Sequence, residues 1–110
     1  MLCGLICFRL VNALLIQTYF NPDEYWQGPE VAHWMVFGYG HRTWEWLPAA
    51  RLRGHAHPLL FASVYKLLAV TGMDSPHLVA LAPRIVSSLI CVSTDVCMYL
   101  FTRKWFGEAA

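Results

Sequence analysis

The sequence predicts an all-α, polytopic membrane protein, and two features of its composition support this class. Hydrophobic residues make up 57% of the chain and charged residues only 14%, whereas about 25% of the residues of an ordinary soluble domain are charged. The hydrophobic residues are also concentrated in segments of helical length that can enter a bilayer. The formal net charge is +1, and the chain contains neither a Lys/Arg-rich run nor a nucleic-acid-binding motif. We therefore expect membrane lipid as a partner, and no nucleic acid.

The first predicted element is a transmembrane helix over residues 1–20, because about 20 apolar residues suffice to cross the hydrocarbon core. A cleaved signal peptide is the competing interpretation. The segment lacks a basic stretch at its start and a clear cleavage site of small residues, and Arg9 interrupts the hydrophobic region that a signal peptide needs. A retained helix is therefore favoured.

An acidic and aromatic loop, residues 21–56, follows this helix. Asn21 is the expected cap of a short interfacial helix that starts at Pro22. The next two residues, Asp23 and Glu24, then lie in its first turn, where the helix dipole favours carboxylates. Taken alone, this structural role explains the two carboxylates about as well as a role as general base does.

The sequence leaves open whether the short helix continues through Pro29, since an interior proline removes a hydrogen bond and usually kinks a helix. If it continues, Asp23, Gln27, Glu30 and Trp34 share one face. The tryptophans and tyrosines of the loop have the density of an aromatic belt at a membrane interface.

Two further transmembrane helices are predicted at residues 57–72 and 77–102, with a tail at 103–110. The first is short for a span and would have to tilt or thin the bilayer. The second carries Arg84 and Asp95, which lie about 16 Å apart along the axis at 1.5 Å per residue and cannot pair with each other. We expect each to find water or a partner on helices beyond this chain, and the chain to be the opening part of a larger polytopic protein.

Other polar residues of the loop have two interpretations each. Arg53 suits a phosphate, because a guanidinium matches phosphate geometry, or a lipid headgroup. Trp44 and Glu45 can shape an acceptor site or anchor the loop in the interface. His55 and His57 offer a possible metal pair, but such a pair at a membrane boundary is more often interfacial, so no metal is predicted.

The four cysteines lie in apolar segments, away from the polar loops where disulfide frameworks and zinc pairs usually occur. No second ligand pair follows Cys3 and Cys7, which share a helical face. Buried or lipid-facing thiols are therefore expected at Cys3, Cys7, Cys91 and Cys97.

A longer, collinear set of motifs makes the acidic loop specific. The chain resembles the dolichyl-phosphate-mannose-dependent mannosyltransferases of glycosyltransferase family 22. Within that family it most resembles the branch that adds the third mannose to the glycosylphosphatidylinositol (GPI) anchor precursor. The resemblance covers nearly the whole chain and rests on residues 17–27 (QTYFNPDEYWQ), 30–33 (EVAH), 37–40 (FGYG), 43–46 (TWEW), 52–54 (LRG), 57–63 (HPLLFAS) and 83–84 (PR).

This resemblance implies the N-terminal part of a GT-C fold, with about three apolar helices, in a multi-pass enzyme of the endoplasmic reticulum membrane. The implied reaction moves mannose from dolichyl phosphate mannose to a hydroxyl of the GPI precursor, with inversion and an α-1,2 linkage. No nucleotide sugar, metal or other cofactor is implied. On the family pattern Asp23 is the base, and Glu24 supports it.

The resemblance and the loop composition also suggest where substrates bind. The expected substrate-binding residues are Trp26, Gln27, Glu30, His33, Trp44, Glu45 and Arg53.

Two alternatives remain open, namely a truncated, non-catalytic membrane protein and a mannosyltransferase of N-glycan precursor assembly. A lumenal loop also conflicts with the distribution of Lys and Arg, which the positive-inside rule would place in the cytosol. The chain by itself is expected to be inactive.

Overall fold

The computed structural model describes residues 2–18, 21–50 and 52–107. All the regular secondary structure in these ranges is helical, so the all-α prediction is confirmed for them. Five α-helices and one short 3-10 turn follow each other along the chain: α1 (Leu2–Leu15), α2 (Asp23–Trp26), α3 (Pro29–Phe37), the 3-10 turn (Trp44–Trp46), α4 (Ala56–Thr71) and α5 (Pro76–Phe106).

Within the described ranges, α5 is the one helix that is both long and apolar enough to cross a membrane. It has 31 residues and continues through Arg103 and Lys104 to Phe106. Helices α1 and α4 are apolar but have only 14 and 16 residues, which is about 21 and 24 Å against a hydrocarbon core of about 30 Å. The number of membrane spans therefore stays a prediction. Residues 19 and 20, at the end of the first predicted span, lie outside the described residues.

The chain forms two compact units. The first, here called the terminal unit, consists of residues 1–17 and 84–110, and holds α1 and most of α5. Arg9 and Asp95 join these helices through two hydrogen bonds, from Arg9 Nε at 2.8 Å and from Nη2 at 2.7 Å to the two carboxylate oxygens. The expectation that Asp95 needs a partner beyond this chain is therefore wrong, because its partner lies 86 positions earlier in the sequence. Arg84 Nη2 is buried without a hydrogen-bond partner among the described residues.

The second unit, here called the loop unit, consists of residues 18–83. Its core forms where α3 packs on α4. Helix α3 contributes Val31 and Ala32, which are almost completely buried. The buried residues of α4 recur at the spacing of one helical face, as expected for an amphipathic helix packed on a neighbour: they are Pro58, Phe61, Ala62 and Tyr65.

The short helix that contains Asp23 does not continue through Pro29. The first short helix ends at Trp26, Gly28 adopts φ −136° and ψ −79°, and Pro29 begins a new helix, where its missing N–H costs nothing. Gly28 is buried, and a Cβ atom there would lie 3.1 Å from side-chain carbons of both His57 and Phe61. The break therefore places α2 in an orientation separate from α3, and the single continuous face does not form.

Candidate functional site

Helix α2 presents the two candidate catalytic carboxylates to solvent. Helix α2 begins at Asp23, one residue after the predicted start at Pro22. The Asn21 side-chain oxygen accepts the Asp23 N–H at 3.1 Å, as expected for a residue that caps this turn, and Pro22 has helical backbone angles. Asp23 and Glu24 occupy the first turn and both side chains are exposed. An exposed carboxylate on a capped turn is free to accept a proton from a bound substrate.

Three of the predicted substrate-binding residues meet in one hydrogen-bonded cluster. Glu45 accepts hydrogen bonds from the Gln27 amide at 2.5 Å and from two Arg53 nitrogens at 3.1 and 3.2 Å. The Gln27 carbonyl oxygen in turn accepts the indole N–H of the buried Trp46 at 3.1 Å. The Arg53 guanidinium, followed by the Gln27 amide, holds the pKa of the Glu45 carboxyl below its usual value. The cluster therefore ties the end of α2 to the 3-10 turn and to the segment before α4.

Glu30 and His33, two further predicted residues, hold the segment that follows α3. Glu30 Oε1 accepts the backbone N–H of His41 at 2.8 Å, and His33 Nδ1 lies 3.1 Å from the Tyr39 carbonyl oxygen. Gly40 has φ +140°, and a Cβ atom there would lie 2.9 Å from Glu30 Oε1. A glycine at this position therefore lets the segment return closely over the Glu30 carboxylate.

The two tryptophans predicted to contact substrate differ in their surroundings. Trp26 is 37% exposed and meets the His41 ring edge-on, with centroids 5.4 Å apart. Trp44 is 65% exposed. An exposed indole of this kind can lie in the membrane interface or stack on a sugar.

A pocket of about 400 Å³ opens within the loop unit. Its walls are prolines and small apolar side chains together with Phe37. Its polar groups come from α2, α3, the segment after α3, α4 and the turn before α5. These polar lining residues are Tyr25, Glu30, His33, Tyr39, Tyr65 and Asp74. Glu30 and His33 were predicted from the sequence, whereas Asp23 and Glu24 do not line the pocket.

The sequence analysis missed Tyr65 and Asp74 as site residues. Tyr65 completes the buried face of α4, four residues after Phe61 and seven after Pro58. That periodicity is the signal that could have placed Tyr65 against α3. Asp74 lies in the short segment between the two helices predicted at residues 57–72 and 77–102. Nothing in its local sequence indicates that the turn reaches a pocket.

The described residues offer no group of three His, Cys, Asp or Glu side chains that could hold a metal. His55 packs against the Trp46 ring and His57 against the Phe61 ring, with centroids 5.3 and 5.0 Å apart. The four cysteines are free and exposed.

These observations define a class of protein, namely an all-helical chain with a helix of membrane-spanning length, an exposed carboxylate pair and an aromatic, acidic pocket. The chain belongs to the Alg9-like mannosyltransferase family, whose sequence pattern matches residues 1–110. The family resemblance found in the sequence motifs is thereby confirmed.

Similar proteins in several organisms support this membership. The chain is 51% identical over 102 residues to mannosyltransferase APTG1 of Arabidopsis thaliana, which covers 93% of this chain. It is 50% identical to GPI alpha-1,2-mannosyltransferase 3 of Bos taurus and 48% identical to that of Homo sapiens, over 91% and 90% of this chain. The chain spans 18% of the length of each of these relatives. No solved structure matches the chain.

Proposed function

We propose that this protein is a multi-pass mannosyltransferase of the endoplasmic reticulum membrane that transfers mannose from dolichyl phosphate mannose to a GPI-anchor precursor. Relatives named GPI alpha-1,2-mannosyltransferase 3 or GPI mannosyltransferase 3, at 43–50% identity, support a GPI acceptor and an α-1,2 linkage. Their names favour this function over N-glycan precursor assembly and over a non-catalytic membrane protein. The mannose that we propose to be transferred is the third of the precursor.

In the proposed step, a hydroxyl oxygen of the acceptor attacks the anomeric carbon of the donor mannose. The bond from that carbon to the phosphate oxygen breaks, the configuration inverts, and the lipid phosphate leaves with the bonding electron pair. One proton must be removed from the attacking hydroxyl, while the phosphate leaves as an anion without protonation. A single carboxylate can therefore serve the reaction.

The observation that carries this proposal is the position of Asp23 in the first turn of α2, exposed and held by the Asn21 cap. Asp23 is the proposed base. Glu24, on the same turn, supports it by maintaining the negative potential that favours proton acceptance. Both carboxylates are exposed on this turn, so a substrate that approaches α2 can reach them.

The other predicted residues fall into two proposed groups. Gln27, Glu45 and Arg53 form the cluster that positions α2, and Arg53 also offers a positive charge for the donor phosphate. The second group contacts the sugars through aromatic faces and polar atoms, and consists of Trp26, Trp44, Glu30 and His33.

The test is complementation of cells that lack this mannosyltransferase activity, using the full-length protein. Asp23→Asn keeps the size of the side chain and removes its basicity, so we expect loss of transfer by a factor of about 100 or more at unchanged protein abundance. Glu24→Gln is the matched control on the same turn and is expected to retain part of the activity. Normal complementation by Asp23→Asn would exclude Asp23 as the base.

A further inference from the structure

The pocket of the loop unit has an unusual balance of hydrogen-bonding groups. Two carboxylates, Glu30 and Asp74, line it, and no Lys or Arg is among its lining residues in the described part of the chain. Hydrogen-bond acceptor atoms therefore outnumber charged hydrogen-bond donors in the pocket. The pocket favours a ligand that brings its own N–H or O–H groups. An anionic group would meet two carboxylates and no Lys or Arg side chain among the described lining residues.

Tyr65 provides a second, independent observation. Its side chain is 3% exposed, and its ring lies against the rings of His33 and Phe37, with centroids 6.3 and 6.2 Å away. Tyr65 also lines the pocket. A tyrosine combines an apolar ring with a hydroxyl that both donates and accepts hydrogen bonds, so Tyr65 can offer both kinds of contact to a ligand there.

We infer that this pocket binds an uncharged sugar ring of the glycan acceptor. The Tyr65 hydroxyl hydrogen-bonds to an oxygen of that sugar, and the carboxylates of Glu30 and Asp74 accept hydrogen bonds from its hydroxyls. The apolar C–H face of the ring packs against the aromatic wall, to which Phe37 belongs. This inference rests on the proposed function, because it assigns one of the two substrates of that reaction.

The charge that each substrate carries near its sugar determines which of the two suits the pocket. The mannose of the donor is bonded directly to a phosphate, so it would bring that anion close to Glu30 and Asp74. The glycan acceptor carries only hydroxyls near its reacting position. These hydroxyls can donate hydrogen bonds to the carboxylate oxygens of the pocket. The short helix α2 connects the pocket with the proposed base, because Tyr25 lines the pocket and Asp23 lies two residues before Tyr25.

The experiment measures steady-state kinetics of the full-length protein with the acceptor and the donor varied separately. Tyr65→Phe keeps the ring and removes one hydrogen bond, so we expect the KM for the acceptor to rise about three- to tenfold. The KM for the donor and kcat stay within about twofold. Asp74→Asn, on an exposed turn, is the second variant and gives a change of the same kind. Tyr99→Phe on α5, where Tyr99 is 42% exposed and outside the pocket, is the matched control and leaves all three constants unchanged.

A rise in the donor KM, or a fall in kcat alone, would assign the pocket to another role, and unchanged constants in both variants would show that no substrate uses it. The proposed function fails separately, if the wild-type protein does not transfer mannose from the lipid phosphate donor. Binding of the acceptor glycan in the absence of donor gives a readout independent of catalysis, and Tyr65→Phe is expected to weaken it by the same factor.

Discussion

The terminal unit and the loop unit use their charged residues in different ways. In the terminal unit, one doubly hydrogen-bonded ion pair joins two apolar helices across 86 positions of sequence. In the loop unit, carboxylates and amides bond to residues that are at most 19 positions away, and they hold short segments around α2 and the pocket. Charge in the terminal unit pairs two distant helices, whereas charge in the loop unit holds neighbouring short segments in place.

The largest effect is expected from removing the ion pair between Arg9 and Asp95 in the terminal unit. Asp95→Leu leaves the Arg9 guanidinium without its partner in an apolar segment, which is strongly unfavourable. We expect the steady-state abundance of the full-length protein to fall several-fold, measured by immunoblotting of membranes. The double variant Arg9→Met with Asp95→Leu removes both charges and is expected to recover most of the abundance. A double variant no better than the single one would show that the pair does not hold these helices.

The next effect is in the loop unit and concerns activity rather than abundance. Glu45→Gln weakens the hydrogen bonds that Gln27 and Arg53 donate, so α2 loses part of its support. We expect the rate of mannose transfer to fall about tenfold with abundance nearly unchanged, measured in membranes that contain equal amounts of protein. Lys66→Gln, an exposed change on α4, serves as the control and keeps full activity. Full activity of Glu45→Gln would separate the cluster from catalysis.

A smaller effect comes from alanine substitutions at Gly38 and Gly40. The two variants separate displacement of Glu30 from backbone strain in general. Gly38 and Gly40 both have positive φ, but a Cβ atom meets the Glu30 carboxylate only at Gly40 and open space at Gly38. Alanine strains the backbone at both positions, by about 1–2 kcal/mol in the left-handed conformation of Gly38 and by more at φ +140°, where Gly40 lies outside that conformation. Only Gly40→Ala also displaces Glu30, so it alone is expected to raise the acceptor KM, by about threefold. Equal acceptor KM values for the two variants would remove Glu30 from the pocket's function.

The smallest effect is a pH dependence confined to the loop unit. The Arg53 guanidinium lowers the pKa of Glu45, so the stabilisation from this pair is complete above the ordinary value of 4.5 and is lost as the pH falls through the lowered pKa. Thermal unfolding of the full-length protein in detergent, followed from pH 7 to pH 3, is expected to show a stability difference between wild type and Glu45→Gln that shrinks toward the acid end. A difference that grows on acidification would contradict the sign of this linkage.

The sequence predicted the helical class, the approximate positions of the apolar segments and the capped start of α2, because these depend on local composition and on Asn21 and Pro22. It also identified Glu30, Glu45 and Arg53 as polar residues of one loop. It could not pair them, since the bond between Gln27 and Glu45 depends on how the chain turns between them.

The remaining features depend on contacts between distant residues. The Arg9 and Asp95 pair depends on the packing of α1 against α5 within the terminal unit. The pocket depends on the packing of α3 on α4, which brings Tyr65 and Glu30 to the same cavity. Tyr65 has the spacing of a core residue, and spacing alone does not distinguish a residue that fills a core from one whose polar end reaches a cavity. The break before Pro29 was likewise an open question, because proline permits both a kink and a new helix.

The most direct test of the central claim, that Asp23 removes the proton from the acceptor hydroxyl, is a single-turnover measurement on purified full-length protein. Wild type and Asp23→Asn are each saturated with dolichyl phosphate mannose and acceptor, and both binding and transfer are followed. The account predicts that Asp23→Asn binds the two substrates within about threefold of wild type and transfers mannose at least about 100-fold more slowly. Transfer by Asp23→Asn at the wild-type rate, with both substrates bound, would contradict it.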